Sequence, residues 1–382
     1  MKAIVNGRIL LPDAEVSGKA LLFDRKIVGI VEETEARAQA DEIIDAEGKY
    51  VAPGLVDVHI HGYLNRDTSD ADPDGVRLMA KGVLENGVTS FLPTTMTVEW
   101  DTLEMVFEQL RALMPESRKD EFDGAEILGC HAEGPFINPS KKGAQKGECI
   151  LTPDPDKVLP YQDVIRVITF APEMPGGDAF IRTLREKTDI VLSIGHTGAN
   201  YDQAMHAVRL GASHITHTFN AMSGLMHRDP GVVGAALTTD VYCELIADTF
   251  HVNKGIFPLM VKVKGDRLVL ITDCTRAGGM ADGEYTLGGQ PIFVKGIECR
   301  LADGTIAGSV LRLNAAVRNV KQYASLPMYR AVRLASLNAA ESAGVADTKG
   351  SLAPGKDADI ILMDEDCNVS AAFVRGVCKM KK

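Results

Sequence analysis

From residue 53 onward, short apolar runs with strand character alternate with stretches of helical period, and eight such runs fit before residue 274. They are Leu55–His59, Val88–Thr94, Glu126–Glu133, Ile165–Ala171, Ile190–His196, His214–Phe219, Tyr242–Asp248 and Arg267–Asp273. Helical patterns fall between them at Gly75–Glu85, Glu99–Leu113, Ala179–Lys187, Tyr201–Leu210 and Lys254–Val263, and the pattern is weakest between the sixth and seventh runs. Strands joined through helical crossovers build parallel sheets. Eight of them predict an α/β protein with a (β/α)₈ barrel rather than an open doubly wound sheet. A nucleotide-binding open sheet carries a glycine turn after a strand, and neither G-x-G-x-x-G nor G-x-x-x-x-G-K-[ST] follows any strand here.

The two ends of the chain have a different texture. Short strands are expected at Ala3–Val5, Ile9–Leu11, Ala20–Phe23, Ile27–Val31 and Ile43–Asp45, and strands return after Lys349. Helices are expected over Ser309–Ala324 and Met328–Ala343, following a glycine-rich stretch with no assigned structure. Segments 1–52 and 349–382 are therefore predicted to pair into one small β domain beside a barrel spanning 53–348. A chain of 382 residues is too long for one ordinary core, which agrees with this division.

Charge and cysteine usage narrow the partners. With 41 Lys+Arg against 52 Asp+Glu the net charge is −11, which disfavours nucleic acid or an anionic membrane as the principal ligand. A small anion in a local basic pocket is still allowed. No apolar run is long enough to span a bilayer, and Met1–Arg8 carries charge and turn residues where a signal peptide has an apolar stretch. The 7 cysteines are scattered and form no C-x-x-C pair, the pattern of reduced thiols in the cytoplasm.

Titratable residues gather at the C-terminal ends of the predicted strands, where barrel enzymes place their chemistry. The first strand ends in His59-Ile60-His61, and alternation puts both imidazoles on one side, as two ligands of one ion require. The third ends in Glu133, the fifth in His196, the sixth runs through His217 and the eighth ends in Asp273. A single histidine at a strand end is ordinarily a hydrogen-bonded structural residue, but four histidines and two carboxylates on one rim point to a metal. Imidazole with carboxylate suits Zn²⁺ or Fe²⁺, with Mn²⁺ also compatible. His131 and His214 are read as pointing away from the ligands beside them by alternation, and so as structural or supporting residues; His206 is read as a surface residue. Cys130 and Cys274 are read as small buried apolar residues.

Two segments, Pro53-Gly54-Leu55-Val56-Asp57 before His59-Ile60-His61 and the closing Gly350-Ser351-Leu352-Ala353-Pro354-Gly355-Lys356-Asp357-Ala358-Asp359, resemble the amidohydrolase superfamily. Within it, five internal motifs resemble the N-acetylglucosamine-6-phosphate deacetylase family over essentially the whole chain. These are His131-Ala132-Glu133-Gly134-Pro135-Phe136, Gly195-His196-Thr197, Thr216-His217-Thr218-Phe219-Asn220-Ala221-Met222, His227-Arg228-Asp229-Pro230-Gly231 and Ile271-Thr272-Asp273. The resemblance implies a barrel with a small β-sandwich built from both termini, in a homodimer. It implies hydrolysis of the N-acetyl group of N-acetylglucosamine 6-phosphate to glucosamine 6-phosphate and acetate. Glu133, His196 and His217 would hold the principal divalent metal. His59 and His61 match the pair that completes a second site, with Glu133 bridging, so one or two ions per subunit are implied. Asp273 matches the catalytic acid/base. Arg228, His251 and the backbone at Asn220-Ala221 match the phosphate ligands, with His227 or Arg228 reaching across a dimer.

Three positions depart from the family pattern. Gln145 follows Lys141-Lys142-Gly143-Ala144 where a sugar-contacting histidine is usual, Thr249 stands in place of glycine, and Cys274 stands in place of a small Ala or Ser. Gln145 keeps open an N-acetylgalactosamine 6-phosphate or other N-acyl hexosamine phosphate substrate. A cyclic-amide hydrolase would want a lysine on the fourth strand, and Ile165–Ala171 has none. A barrel retained only as a binding protein would be expected to have lost ligands, and all six residues are present.

Overall fold

The computed structural model describes residues 1–382. Eight parallel strands form the expected barrel: β1 (Leu55–Ile60), β2 (Val88–Thr95), β3 (Cys130–Glu133), β4 (Ile165–Phe170), β5 (Val191–Ile194), β6 (His214–Ile215), β7 (Tyr242–Ile246) and β8 (Leu268–Ile271). Every sequential pair from β1–β2 to β7–β8 is hydrogen-bonded in parallel. The ring closes through its rim: Asp273 N–H donates to His59 O at 2.8 Å and His61 N–H to Cys274 O at 2.9 Å. All residues of β1, β2 and β8 are buried, as expected for strands covered on both faces. The third predicted strand is split: Glu126–Ile127 pairs with β2 separately, and the chain breaks at Gly129, where φ is 145°.

Helices α1 (Pro73–Val83), α2 (Trp100–Ser117), α3 (Gly177–Lys187), α4 (Tyr201–Leu210), α5 (Gly231–Thr238) and α6 (Phe257–Lys264) pack around the strands. In α1, Val76, Met79, Ala80 and Val83 recur at helical spacing and are all buried. Helix α4 starts at a capping box between Asn200 and Gln203 and stops at Gly211. α5 fills the gap where the sequence pattern was weakest, because Gly-Val-Val-Gly-Ala-Ala-Leu-Thr is apolar on all sides and has no polar face. Between β3 and β4 there is a long loop with one helical turn, Pro155–Val158.

The expected Met328–Ala343 helix is instead two, Met328–Leu334 and Leu337–Ser342, following α7 (Leu313–Tyr323). Tertiary pairing overrides the helical period there. The Ala335 carbonyl accepts the Val56 N–H of β1 at 2.8 Å, and the Ser336 hydroxyl folds back to Val332 O at 2.8 Å.

The head and tail strands do combine. Tyr50–Pro53 lies antiparallel to Ile360–Met363 at the centre of a six-stranded sheet, and a four-stranded sheet built on Lys2–Val5 packs against it. Ile4, Leu21, Phe23, Val51, Ile360 and Phe373 form the core between them.

The glycine-rich stretch is a structural element the sequence reading left blank. Strands Gly283–Leu287, Gln290–Lys295 and Glu298–Leu301 make an antiparallel sheet. Gly288 and Gly289, at φ 55° and 80°, form the two-residue turn of its first hairpin. Ile292 and Val294 alternate inward against Met96 and Ala144, which holds this flap beside the mouth of the barrel.

Candidate active site

Three strand ends share one local pattern. β5, β6 and β8 finish at Ile194, Ile215 and Ile271, and two residues further on stand His196, His217 and Asp273. All three sit at positive φ, 46°, 27° and 49°, a conformation uncommon outside glycine that costs of order 1–3 kcal/mol per residue. The left-handed residue turns the chain as it leaves the barrel and leaves the side chain over the mouth. Glu133 ends β3, while His59 lies within β1 and His61 just past it.

These six residues converge. Glu133 Oε1 lies 3.0 Å from His217 Nε2, 3.3 Å from His196 Nε2 and 3.4 Å from His59 Nε2, while its Oε2 lies 3.2 Å from His61 Nε2. Asp273 Oδ1 approaches His61 Nε2 at 3.2 Å and His59 Nε2 at 3.6 Å. The Nε2 atoms of His196 and His217 are 3.1 Å apart, those of His59 and His61 3.3 Å. Two nitrogens on one tetrahedral zinc stand roughly 3.3 Å apart, so each pair fits as joint ligands of an ion.

Hydrogen bonding sets the tautomers to match. His196 Nδ1–H donates to Lys141 O at 2.8 Å, His61 Nδ1–H to Thr94 O at 3.2 Å and His59 Nδ1–H to Glu244 Oε2 at 2.9 Å. Each ring therefore keeps its Nε2 lone pair for the shared space. Glu133 Oε1 is buried with no hydrogen-bond partner, and neither Glu133, Glu244 nor Asp273 pairs with a lysine or arginine. Three buried carboxylates without a fixed cation fit a divalent metal.

Without an ion, protons take its place. Burial works against charge on His59, but Glu244, Glu133 and Asp273 outweigh it and raise its pKa to about 9; His61 is raised well above its ordinary value against the same burial penalty by Asp273 and Glu133. The carboxylates around these rings thus favour positive charge at this place, which a divalent ion would supply.

A cavity of about 420 Å³ opens over the cluster, lined by His61, Glu133, His196, His217 and Asp273. Gln145, Asn220, Ala221 and His251 also line it, together with Met96 and Leu287 of the flap contact. Gln145 Nε2 donates to Glu133 Oε2, and its Oε1 accepts the Thr97 N–H at 2.6 Å. His251 is fixed through Nδ1 to Asp248 Oδ2 at 2.6 Å. The intervening Thr249 sits at φ 72°, which explains why glycine suits that position. The Asn220 N–H is spent on His217 O at 2.9 Å, whereas the Ala221 N–H has no protein acceptor.

Other predicted residues lie elsewhere. His227 and Arg228 are exposed on the loop between Ser223 and Pro230 and do not reach this cavity. His206 is half-buried on α4 and pairs with Asp178, and Cys130 and Cys274 are buried. His131 does not point away from Glu133. Residues i and i+2 of a strand share a face, and the His131 ring meets His59 edge to face at 4.5 Å, donating through Nδ1 to Val58 O and accepting at Nε2 from Thr169 Oγ1. Burial and the neighbouring His59 push its pKa down to about 3, so it is neutral. Glu244, which the sequence reading passed over, is fully buried in β7 against His59. A carboxylate in the middle of Tyr-Cys-Glu-Leu-Ile was its only signal.

An eight-stranded barrel with imidazoles and carboxylates at its C-terminal mouth defines a class of metal-dependent hydrolase. The sequence pattern of the Amidohydrolase family matches residues 50–379, and the chain belongs to that family. It is 39% identical, over 90% of its own length and 88% of the relative's, to the N-acetylglucosamine-6-phosphate deacetylase of Lysinibacillus sphaericus. It is also similar to the N-acetylgalactosamine-6-phosphate deacetylase of Escherichia coli O157:H7, at 34% identity over 87% of this chain and 89% of that one. The crystal structure of N-acetylglucosamine-6-phosphate deacetylase from Pasteurella multocida superposes with a TM-score of 0.94 at 31% identity, covering 100% of both chains. No helix is long and apolar enough to cross a membrane.

Proposed function

We propose that this chain is a metal-dependent deacetylase that converts N-acetylglucosamine 6-phosphate to glucosamine 6-phosphate and acetate. The observation that carries this reading is the convergence of four imidazole Nε2 atoms on Glu133, with Asp273 beside them at the cavity floor, in a chain similar end to end to such enzymes. Glu133, His196 and His217 would hold the principal ion, and His59 and His61 with the second oxygen of Glu133 a further one. Zinc or ferrous iron, with manganese as an alternative, suits these donors. A divalent ion there supplies polarisation of the amide carbonyl and acidifies a bound water towards pKa 7.

The chain's own groups do the rest. Asp273 is kept ionised because the His61 hydrogen bond and the nearby His59 outweigh its burial. It accepts the proton of the attacking water, then returns that proton to the nitrogen as the C–N bond breaks, since an amine leaves poorly without it. The phosphate is assigned to His251 and the Ala221 N–H on the β6–β7 rim, with Asn220, whose N–H is held by His217 O, lining the same pocket. His227 and Arg228 stand beside exposed Leu225 and Met226. That apolar and cationic loop suits a homodimer contact in which each copy completes the other's phosphate site. The reaction is placed in the cytoplasm, where the seven free cysteines stay reduced.

Gln145 and the similarity to an N-acetylgalactosamine-6-phosphate deacetylase sustain the 4-epimer as a second reading. Acetate release from both phosphorylated epimers and from the unphosphorylated sugar, on protein of known metal content, tests the assignment. Turnover of N-acetylglucosamine 6-phosphate well above the other two is expected. Turnover of the galacto epimer alone would reassign the hexose with the chemistry intact, and none from metal-loaded protein would overturn the deacetylase reading.

A further inference from the structure

Glu244 is a carboxylate buried to 0% exposure in the barrel interior, on a strand that sends no residue into the metal-ligand set. Burying an unpaired carboxylate is expensive, and the groups that face it are all imidazole rings or the backbone of a ligand. Oε2 accepts His59 Nδ1–H at 2.9 Å and the His217 backbone N–H at 2.9 Å; Oε1 faces His214 Nε2 at 3.7 Å and has no hydrogen-bond partner. His131 meets the His59 ring edge to face at 4.5 Å.

His59, His131 and Glu244 also lie close enough together to suggest an ion of their own. Hydrogen bonding argues against it. Both His131 nitrogens are spent, on Val58 O at 2.9 Å and Thr169 Oγ1 at 2.7 Å, and the His59 nitrogen facing Glu244 is the one that donates to it.

The contrast with the other ligands gives Glu244 its role. His61 and His196 anchor their Nδ1–H on backbone carbonyls, and His217 Nδ1 has no partner. His59 alone is anchored by a side chain, and that same side chain holds the backbone of His217 across the site. We propose that Glu244 is a positioning residue: by accepting the His59 Nδ1–H it holds the His59 Nε2 lone pair toward His61 and Glu133, and so determines whether an ion is held between those three residues. The proposal rests on the reading of the cluster as a metal centre. Acceptors that orient a metal-bound imidazole in this way change metal affinity on the order of 10–100-fold when removed.

The test compares Zn²⁺ affinity, by chelator competition, and metal-free thermal stability in wild type, Glu244→Gln, Glu244→Met and Glu244→Asp. Glutamine can turn its carbonyl to His59 and His217 and its amide to His214, so it is expected to bind zinc close to wild type. Met keeps the volume without an acceptor, and Asp keeps the charge without the reach. Both are expected to weaken one zinc position on the order of 10–100-fold. Methionine strands the buried His59 Nδ1–H and His217 N–H that Glu244 accepts, so metal-free Glu244→Met is expected to melt below wild type, and the zinc affinity of the folded variants carries the test. A residue important only for packing would leave the zinc affinity of folded, volume-matched Glu244→Met at the wild-type value.

Wild-type zinc affinity in Glu244→Met overturns the proposal. So does loss in Glu244→Gln equal to that in Glu244→Met. Should Glu244→Met not fold, Glu244→Asp against Glu244→Gln carries the same comparison. Failure of wild-type protein to bind zinc would instead sink the metal-centre reading itself, and zinc binding without acetate release would sink only the deacetylase assignment.

Discussion

Asp273→Asn is expected to lower kcat by about 10²–10⁴-fold while the protein keeps its metal and its fold. The substitution is close to isosteric, and asparagine tolerates the left-handed backbone at φ 49° that this position requires. The backbone bonds that close the barrel here survive, because Asp273 N–H to His59 O and Ser309 N–H to Asp273 O, both 2.8 Å, do not involve the side chain. What is lost is the group able to take a proton from water and return it to the departing amine. The loss corresponds to about 3–5 kcal/mol of barrier.

The pH profile carries the same information. His61 and His59 hold the Asp273 carboxyl below its ordinary value in spite of burial, and loss of that carboxyl is expected to remove its limb from the rate profile. Substrate-saturated rates across pH, with metal content measured on the same samples, check the role. Metal-replete Asp273→Asn within about tenfold of wild-type kcat would remove Asp273 from proton transfer.

The barrel was legible because each strand is a short apolar run ended by a turn, and because parallel strands covered on both sides leave few polar interruptions. The same property made the rim legible: His196, His217 and Asp273 stand out as the first titratable residues after Ile194, Ile215 and Ile271. What they lean on was harder to see. Glu244 contacts His59 across 185 positions of sequence, and no local period connects a lone glutamate in one strand to a histidine in another. His131 was misplaced: alternation sets residues i and i+2 on one face, which puts it beside Glu133 inside the barrel, against His59. The flap was left blank although Gly288-Gly289 between Leu287 and Gln290 is a strong turn signal. Its strands are short and half exposed, so the apolar alternation is confined to a few residues such as Ile292 and Val294.

Lys349→Met is expected to lower unfolding free energy by about 3–5 kcal/mol, with no change in kcat of the folded enzyme. Lys349 is 1% exposed, and its Nζ donates to Glu126 Oε2 at 2.7 Å and Asp359 Oδ2 at 2.8 Å, with Asp357 Oδ2 at 3.1 Å. Burial opposes the ammonium charge, yet Asp359, Glu126 and Asp357 outweigh it and hold its pKa above the ordinary value. Lys26 from the head of the chain reaches Asp357 Oδ1 at 3.3 Å, and Arg118 at the end of α2 pairs with Glu126. Three cations and three carboxylates thus join head, barrel and tail at the end of the barrel opposite the active site.

Methionine fills the space of the lysine stem but leaves three buried carboxylates to two partly exposed cations. The penalty comes from those stranded charges, not from the intrinsic worth of an ion pair, and replacing the whole cluster by apolar residues would cost far less. The sign with pH follows from the raised pKa. The stabilisation is complete below the unfolded lysine value near 10.5 and is lost only as pH rises through the higher folded value, so the deficit of the variant is fully present at neutral pH. Urea unfolding at pH 7.5, followed by two probes, measures it as a fall in midpoint at unchanged slope. A difference below about 1 kcal/mol would place the cluster among exposed ion pairs of little consequence and leave the union of the terminal sheets with the barrel to the pairing of Tyr50–Pro53 with Ile360–Met363.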